Sequence, residues 1–250
     1  MQLLSSLPTN VVAFSANATD RRRSTTVKAI GNQLWKNYVP IPIYGEYIHI
    51  PAPQPDITIG FYPHTFGVWH RTHRLKASYS LRNGKKAVGC YDAVHDQTKW
   101  PMITIELKGE QEPVGKATTQ NAHNGAVMTA NLMRLKERAG LEVPYGKAYI
   151  LTISMDVYSI VISAHWAIWD AEIKAERYLH RTIKSWLIKE GSLEDLIDSR
   201  RAISNCIERH MEAMLTMIRS DLELVKARSM TADTTPPEHV CQDVTRSNIG

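Results

Sequence analysis

Met102-Ile103-Thr104-Ile105-Glu106-Leu107-Lys108 is the stretch from which the rest of this chain is read. Side chains alternate along a strand, so Ile103, Ile105 and Leu107 share one face and Thr104, Glu106 and Lys108 share the other. Charges are disfavoured in so apolar a strand unless they are paired or lie at an edge. Upstream, Pro53-Gln54-Pro55-Asp56-Ile57-Thr58-Ile59 repeats the arrangement, with Ile57 and Ile59 on one face and Asp56, Thr58 and Gly60 on the other. If the two strands pair, two carboxylates and an ammonium converge.

Carboxylate oxygens are what a hard cation such as Mg2+ or Mn2+ takes, and Mg2+ uses one or two of them while keeping water and phosphate oxygens. Such an ion lowers the pKa of a bound water and neutralises charge building on phosphate oxygens. Lys108 would add positive charge there or position the attacking water. Spacing alone is not distinctive, since Glu172-Ile173-Lys174 shares it. Glu106 differs by closing a strongly apolar strand.

Pro55-Asp56 followed by Glu106-Leu107-Lys108 resembles the signature of the PD-(D/E)XK nuclease superfamily, a Pro-Asp pair on one strand and acid-x-Lys on the next. In that superfamily a helix packed on the sheet follows, often bearing a Gln. Here Ala117 to Lys136 reads helical, with Gln120 near its start. The resemblance is nearest to fungal nuclease-like proteins and runs from about residue 28 to 220. It implies an α/β (α+β) fold of the restriction-endonuclease type, a central mixed sheet flanked by helices, with further helices at the C-terminal end. Carried over residue by residue, it implies Asp56 and Glu106 as metal ligands and the Leu107 carbonyl as a further ligand. It also implies Lys108 as the catalytic lysine and Gln120 as an accessory catalytic group. Many members add a Glu from a first helix, whereas the helix expected over Thr26 to Tyr38 has no acid. Gln33 or Glu46 are the available substitutes, and Glu46 reads better as a solvated charge.

The formal charge of +5 and pI near 9.0 are modest, but the charge is unevenly spread. No Asp or Glu occurs between Asp56 and Asp92, an interval holding Arg71, Arg74, Lys76, Arg82, Lys85 and Lys86 among His and aromatic residues. Such a surface suits a nucleic-acid backbone, DNA or RNA, and Trp69 or Tyr79 would stack on an unpaired base if exposed. The plainer reading is a solvated hairpin around a type I′ Asn83-Gly84 turn, its charges guarding an edge strand.

At 250 residues and 43% hydrophobic content the chain can bury a substantial core. The expected organisation is a poorly ordered segment over 1–24 containing Arg21-Arg22-Arg23, one domain over 25–228, and a disordered tail over 229–250. No apolar run is long enough to span a bilayer, and the first twenty residues lack the pattern of a secretory signal. Three cysteines without paired spacing point to a reducing compartment, nucleus or cytoplasm. They offer no zinc motif, and His70 and His73 lack the partners to make one. Gly109 to Lys116 superficially resembles a phosphate-binding loop, but its spacing is one residue too long, Pro113 removes an amide and Ala117 replaces the needed hydroxyl.

Prolines 40, 42, 51, 53 and 55 exclude helix before the first motif strand. Strands are expected over Ile57 to Tyr62, Ala77 to Leu81, Lys86 to Asp92 and Met102 to Lys108. After the helix bearing Gln120, Asn124 and Asn131, Tyr149 to Ser154 and Val157 to Trp169 read as a hairpin. Helices are then expected over Ala171 to Lys189 and Leu193 to Val225, the second opened by a Ser192/Asp195 capping box and carrying a core stripe through Ile203, Met214 and Ile218. The functional expectation is a magnesium-dependent nuclease. Its rival is a nuclease-fold protein without turnover that acts as a nucleic-acid-binding or protein-interaction module.

Overall fold

The computed structural model describes residues 26–35, 38, 41–43, 46–47, 51–67, 69, 75–80, 84–90, 93–95, 98–188 and 192–234. Its strands are β1 Val27–Gly31, β2 Pro42–Ile43, β3 Glu46–Tyr47, β4 Ile57–Phe61, β5 Lys76–Ser80, β6 Lys86–Cys90, β7 Ala93–His95, β8 Thr98–Leu107, β9 Ile150–Met155, β10 Ser159–Asp170 and β11 Ala175–Leu187. The helices are α1 Val114–Ala139, α2 Leu193–Asn205 and α3 Met211–Thr234, the last two joined by a π-helical turn over Cys206–His210.

The main sheet runs in the order β1-β4-β8-β9-β10-β11, with β7 also paired to β8. Among the described strands only β8 and β9 are parallel, and α1 makes the crossover between them that a parallel pair requires. The fold is therefore the expected mixed sheet flanked by helices, with further helices at the C-terminal end. β5 and β6 form a separate two-stranded sheet, and the buried Phe66 and Leu75 join the core.

Pairing register gives the sheet two unlike faces. Ile57 lies opposite Ile105 and Ile59 opposite Ile103, while Ile103 and Ile105 lie beside Leu151 and Ile153. That face is aliphatic. On the other, Thr58, Thr104, Thr152 and Ser163 align across β4, β8, β9 and β10, and all four are buried. α1 lies against this hydroxyl-lined face, its Asn121 bonded to Thr104 and Ser154. Close approach is possible because position 125 is glycine: a Cβ there would lie 2.2 Å from Nδ1 of His165. Gly60 answers a similar demand where β4 and β8 slip register, since its Cβ would meet the Lys99 carbonyl oxygen at 2.7 Å.

Two expected helices are strands. Thr26 to Tyr38 begins with β1, which pairs along its whole length with β4. Asn32, at φ 45°, ends it, and its amide donates to the Asp56 carbonyl. Ala171 to Lys189 holds good helix formers, but most of it is β11, paired to β10 from Ala175 to Leu187. Asp170 accepts the amides of Glu172 and Ile173, as an N-cap would, but Lys174 at φ 49° turns the chain back instead. Pairing with a preformed neighbour overrides local propensity in both cases. At the C-terminal end α3 runs on to Thr234, beyond the expected boundary at 229. Ser192 does stand at the N-cap of α2, but its hydroxyl donates to the Asp195 carboxylate rather than receiving a backbone amide.

Candidate functional site

The antiparallel pairing of β4 with β8 brings Asp56, Glu106 and Lys108 to one end of the sheet. Asp56 immediately precedes β4, and its Oδ2 accepts the Leu107 amide at 2.6 Å. Glu106 is 2% exposed and lies on the hydroxyl-lined face beside Ser154. Lys108 Nζ stands 3.9 Å from Glu106 Oε2. The convergence expected from the two segments is therefore present.

Glu106 is held by a group from α1. Asn124 Nδ2 donates to Glu106 Oε1 at 2.7 Å. Burial is the largest influence on this carboxyl and pushes its pKa up to about 7; the Asn124 donor opposes that, the nearby Asp56 carboxylate reinforces it, and Lys108 opposes it. A buried acid beside a second carboxylate holds its proton near neutral pH. Metal binding would displace that proton.

Gln120 is exposed, off the face that meets the sheet. Buried Ala117, Asn121, Asn124, Met128, Leu132 and Leu135 mark the inward face by their helical spacing. Asn124 and Asn131, which the sequence groups with Gln120, are by contrast buried. Leu107 meets Asp56 through its amide.

The sequence marks Asp156 only as part of the Met155-Asp156 turn of a hairpin. It lies in the turn between β9 and β10, and its Oδ2 accepts the Val114 amide at 2.8 Å while Oδ1 accepts the amides of Tyr158 and Ser159. Pro113, the N-cap of α1, has no side-chain acceptor to offer, so the cap is supplied from 42 residues away in the chain. One carboxylate thus ties the start of α1 to the strand next to β8. The neighbouring backbone bond from Lys108 to Met155 does the same for the end of β8.

Of the six basic residues expected to contact nucleic acid, Lys76, Lys85 and Lys86 are exposed, Lys76 and Lys86 on β5 and β6 and Lys85 just before β6. Ser80 pairs with Lys86 and Lys76 with Cys90, so Lys76 and Lys86 share a face of that small sheet. Arg71, Arg74 and Arg82 lie outside the described residues, as does the side chain of Glu46. Gln33, the other substitute for a helical acid, follows β1, and the segment expected to supply that helix opens with β1.

Among the described residues no group of three or more His, Cys, Asp or Glu side chains is placed to hold a metal ion. The donor set fits a hard cation that takes one or two protein carboxylates and completes its shell with water and phosphate. It does not fit a fully protein-enclosed site. No helix among the described residues is long and apolar enough to cross a membrane.

No curated protein and no solved structure matches the chain. A family model described as a domain of unknown function, DUF7924, matches residues 3–222. That span takes in every strand of the main sheet, Asp56, Glu106, Lys108 and Asn124, and the chain therefore belongs to the DUF7924 family.

Proposed function

We propose that this protein is a metal-dependent nuclease that hydrolyses phosphodiester bonds of DNA or RNA. The observation that carries the reading is the meeting of Asp56, Glu106 and Lys108 at the paired ends of β4 and β8. A helix that follows β8 and contributes a side chain to Glu106 agrees with the resemblance to the PD-(D/E)XK superfamily. Asp56 and Glu106 would hold Mg2+ or Mn2+, with the Leu107 carbonyl as a further ligand. When bound, the cation supplies a more acidic water and charge neutralisation at the phosphate.

The chain's own residues supply position and charge. Asp56 is fixed by the Leu107 amide, and Glu106 by Asn124. Lys108 directs its ammonium toward the Glu106 carboxylate, where it orients the attacking water and offsets charge on the phosphate. In the reaction the water oxygen bonds to phosphorus and gives up a proton to solvent, one phosphorus–oxygen ester bond breaks, and the departing oxygen takes a proton from solvent. Lys76, Lys85 and Lys86, with Arg71, Arg74 and Arg82 in the same acid-free interval, provide the basic surface for the backbone.

A second reading is that the fold binds nucleic acid or a protein without cutting. It is favoured by the two-carboxylate donor set, which among the described residues is not joined by the additional acid found in many members of the superfamily. One assay separates the two. Purified protein with Mg2+ or Mn2+ is expected to cleave labelled DNA or RNA, while Asp56→Ala and Lys108→Ala do not. Salt-sensitive binding without cleavage would establish the binding module, and equal cleavage by all three proteins would place the activity elsewhere.

A further inference from the structure

The amides beneath α1 form a chain with only one consistent polarity. It starts at the Ile153 carbonyl, which the β9 backbone fixes and which can only accept. Asn121 must therefore turn Nδ2 toward it, and that nitrogen donates to Ile153 O and to Ser154 Oγ, each at 2.9 Å. Its Oδ1 then faces the other way, accepting from Thr104 Oγ1 at 2.7 Å. The same oxygen lies 3.4 Å from Asn124 Nδ2, so Asn124 also presents its nitrogen. That nitrogen donates to Glu106 Oε1 at 2.7 Å.

Asn121, Asn124, Thr104, Ser154 and Glu106 are all at least 98% buried, so water cannot readily substitute for any of these bonds. A reversed Asn124 amide would set its one oxygen against both Asn121 Oδ1 and the ionised Glu106 carboxylate that a cation requires. Both contacts would be repulsive. The relay thus fixes which way Asn124 points and, through it, the rotamer of Glu106, leaving Oε2 directed toward Lys108. A neutral donor does this without cancelling the negative charge a cation needs, as an Arg or Lys at the same position would.

We propose that Asn124 is a positioning residue which, aligned by Asn121, presents Glu106 to a divalent cation. The proposal rests on the nuclease reading of the site and adds to it how the buried carboxylate is held. Partners of this kind, one shell removed from a metal, change affinity by about 10–100-fold when removed.

The test is Mn2+ titration of the full chain, with free Mn2+ read by electron paramagnetic resonance, independent of cleavage. Asn124→Leu, close in size but without a donor, is expected to weaken Mn2+ binding by about 10–100-fold. Asn124→Ala is the second variant should leucine disturb the fold, and thermal unfolding verifies that each protein is folded. Asn121→Ala, with Asn124 intact, is expected to weaken binding less. The double variant should be no weaker than Asn124→Leu alone, because both changes act through one bond to Glu106. A merely structural role would leave Mn2+ affinity unchanged in the folded variants. Wild-type affinity in folded Asn124→Leu or Asn124→Ala overturns the positioning role while leaving the nuclease reading intact. Failure of the wild type itself to bind Mn2+ overturns both.

Discussion

The two faces of the main sheet are built from the same strands and do opposite things. One presents Ile57, Ile59, Ile103, Ile105, Ile153 and Met155, all buried and all apolar. The other, against α1, presents Thr58, Thr104, Glu106, Thr152, Ser154, Ser163 and His165, equally buried and nearly all polar. Apolar burial drives compaction without specifying direction. Buried polar groups stabilise little in net terms and demand exact partners. The aliphatic face therefore secures the fold, and the polar face fixes how α1 and Glu106 are placed on it.

Substitutions on the two faces should differ in kind. Ile103 is 0% exposed, and Ile103→Ala is expected to cost about 2–5 kcal/mol in denaturant unfolding. Cation binding should survive it at temperatures where the variant stays folded. A loss of Mn2+ binding in the folded variant would blur the distinction between the faces.

Glu106→Gln should act in the opposite direction. The carboxyl titrates near 7 in the folded protein against 4.5 in its ordinary environment, so the folded state binds this proton more tightly. Its contribution to stability is fully present below about pH 4.5 and is lost as pH rises through 7. Replacing it with a neutral amide is expected to raise stability by about 3 kcal/mol at pH 8 and to change little at pH 4.5. An unchanged difference across that range would show that Glu106 titrates normally.

Thr152→Val probes the polar face away from the carboxylates. Thr152 Oγ1 lies 2.8 Å from His165 Nε2, and burial, aided by the stacked His180, pushes the His165 imidazole down to about 3. The valine would leave a buried ring nitrogen unpaired, a loss of about 1–3 kcal/mol in unfolding free energy. Gln120→Ala is the smallest expected change. Its side chain is exposed on α1, so stability should shift by less than about 0.5 kcal/mol, with Mn2+ affinity unaltered. A marked loss of affinity there would restore the site role that the resemblance implied.

These contrasts explain which parts were legible in the sequence. Period-two alternation located β4 and the C-terminal part of β8, and with it the convergence of Asp56, Glu106 and Lys108, although β8 begins four residues earlier than the alternation indicated, at Thr98. α1 was legible as a helix, but helical spacing grouped Gln120 with Asn124 and Asn131, whereas Ala117, Asn121, Asn124, Met128 and Leu132 trace the inward face and Gln120 sits outside it. The strands β1 and β11 were hidden because their residues form helices about as readily, and only pairing with β4 and β10 decides the matter. The capping role of Asp156, which the sequence marks only as a turn residue, was invisible for a different reason. A cap supplied across 42 residues leaves no local pattern.

The most direct measurement is the cleavage rate of Mn2+-saturated Lys108→Ala beside Mn2+-saturated wild type on a labelled oligonucleotide. The lysine is placed against Glu106 but holds no metal, so cation occupancy should be equal in the two proteins. The account predicts cutting by the wild type and a loss of about 100-fold or more in the variant. Equal rates, or a wild type that binds Mn2+ and never cuts, would contradict it.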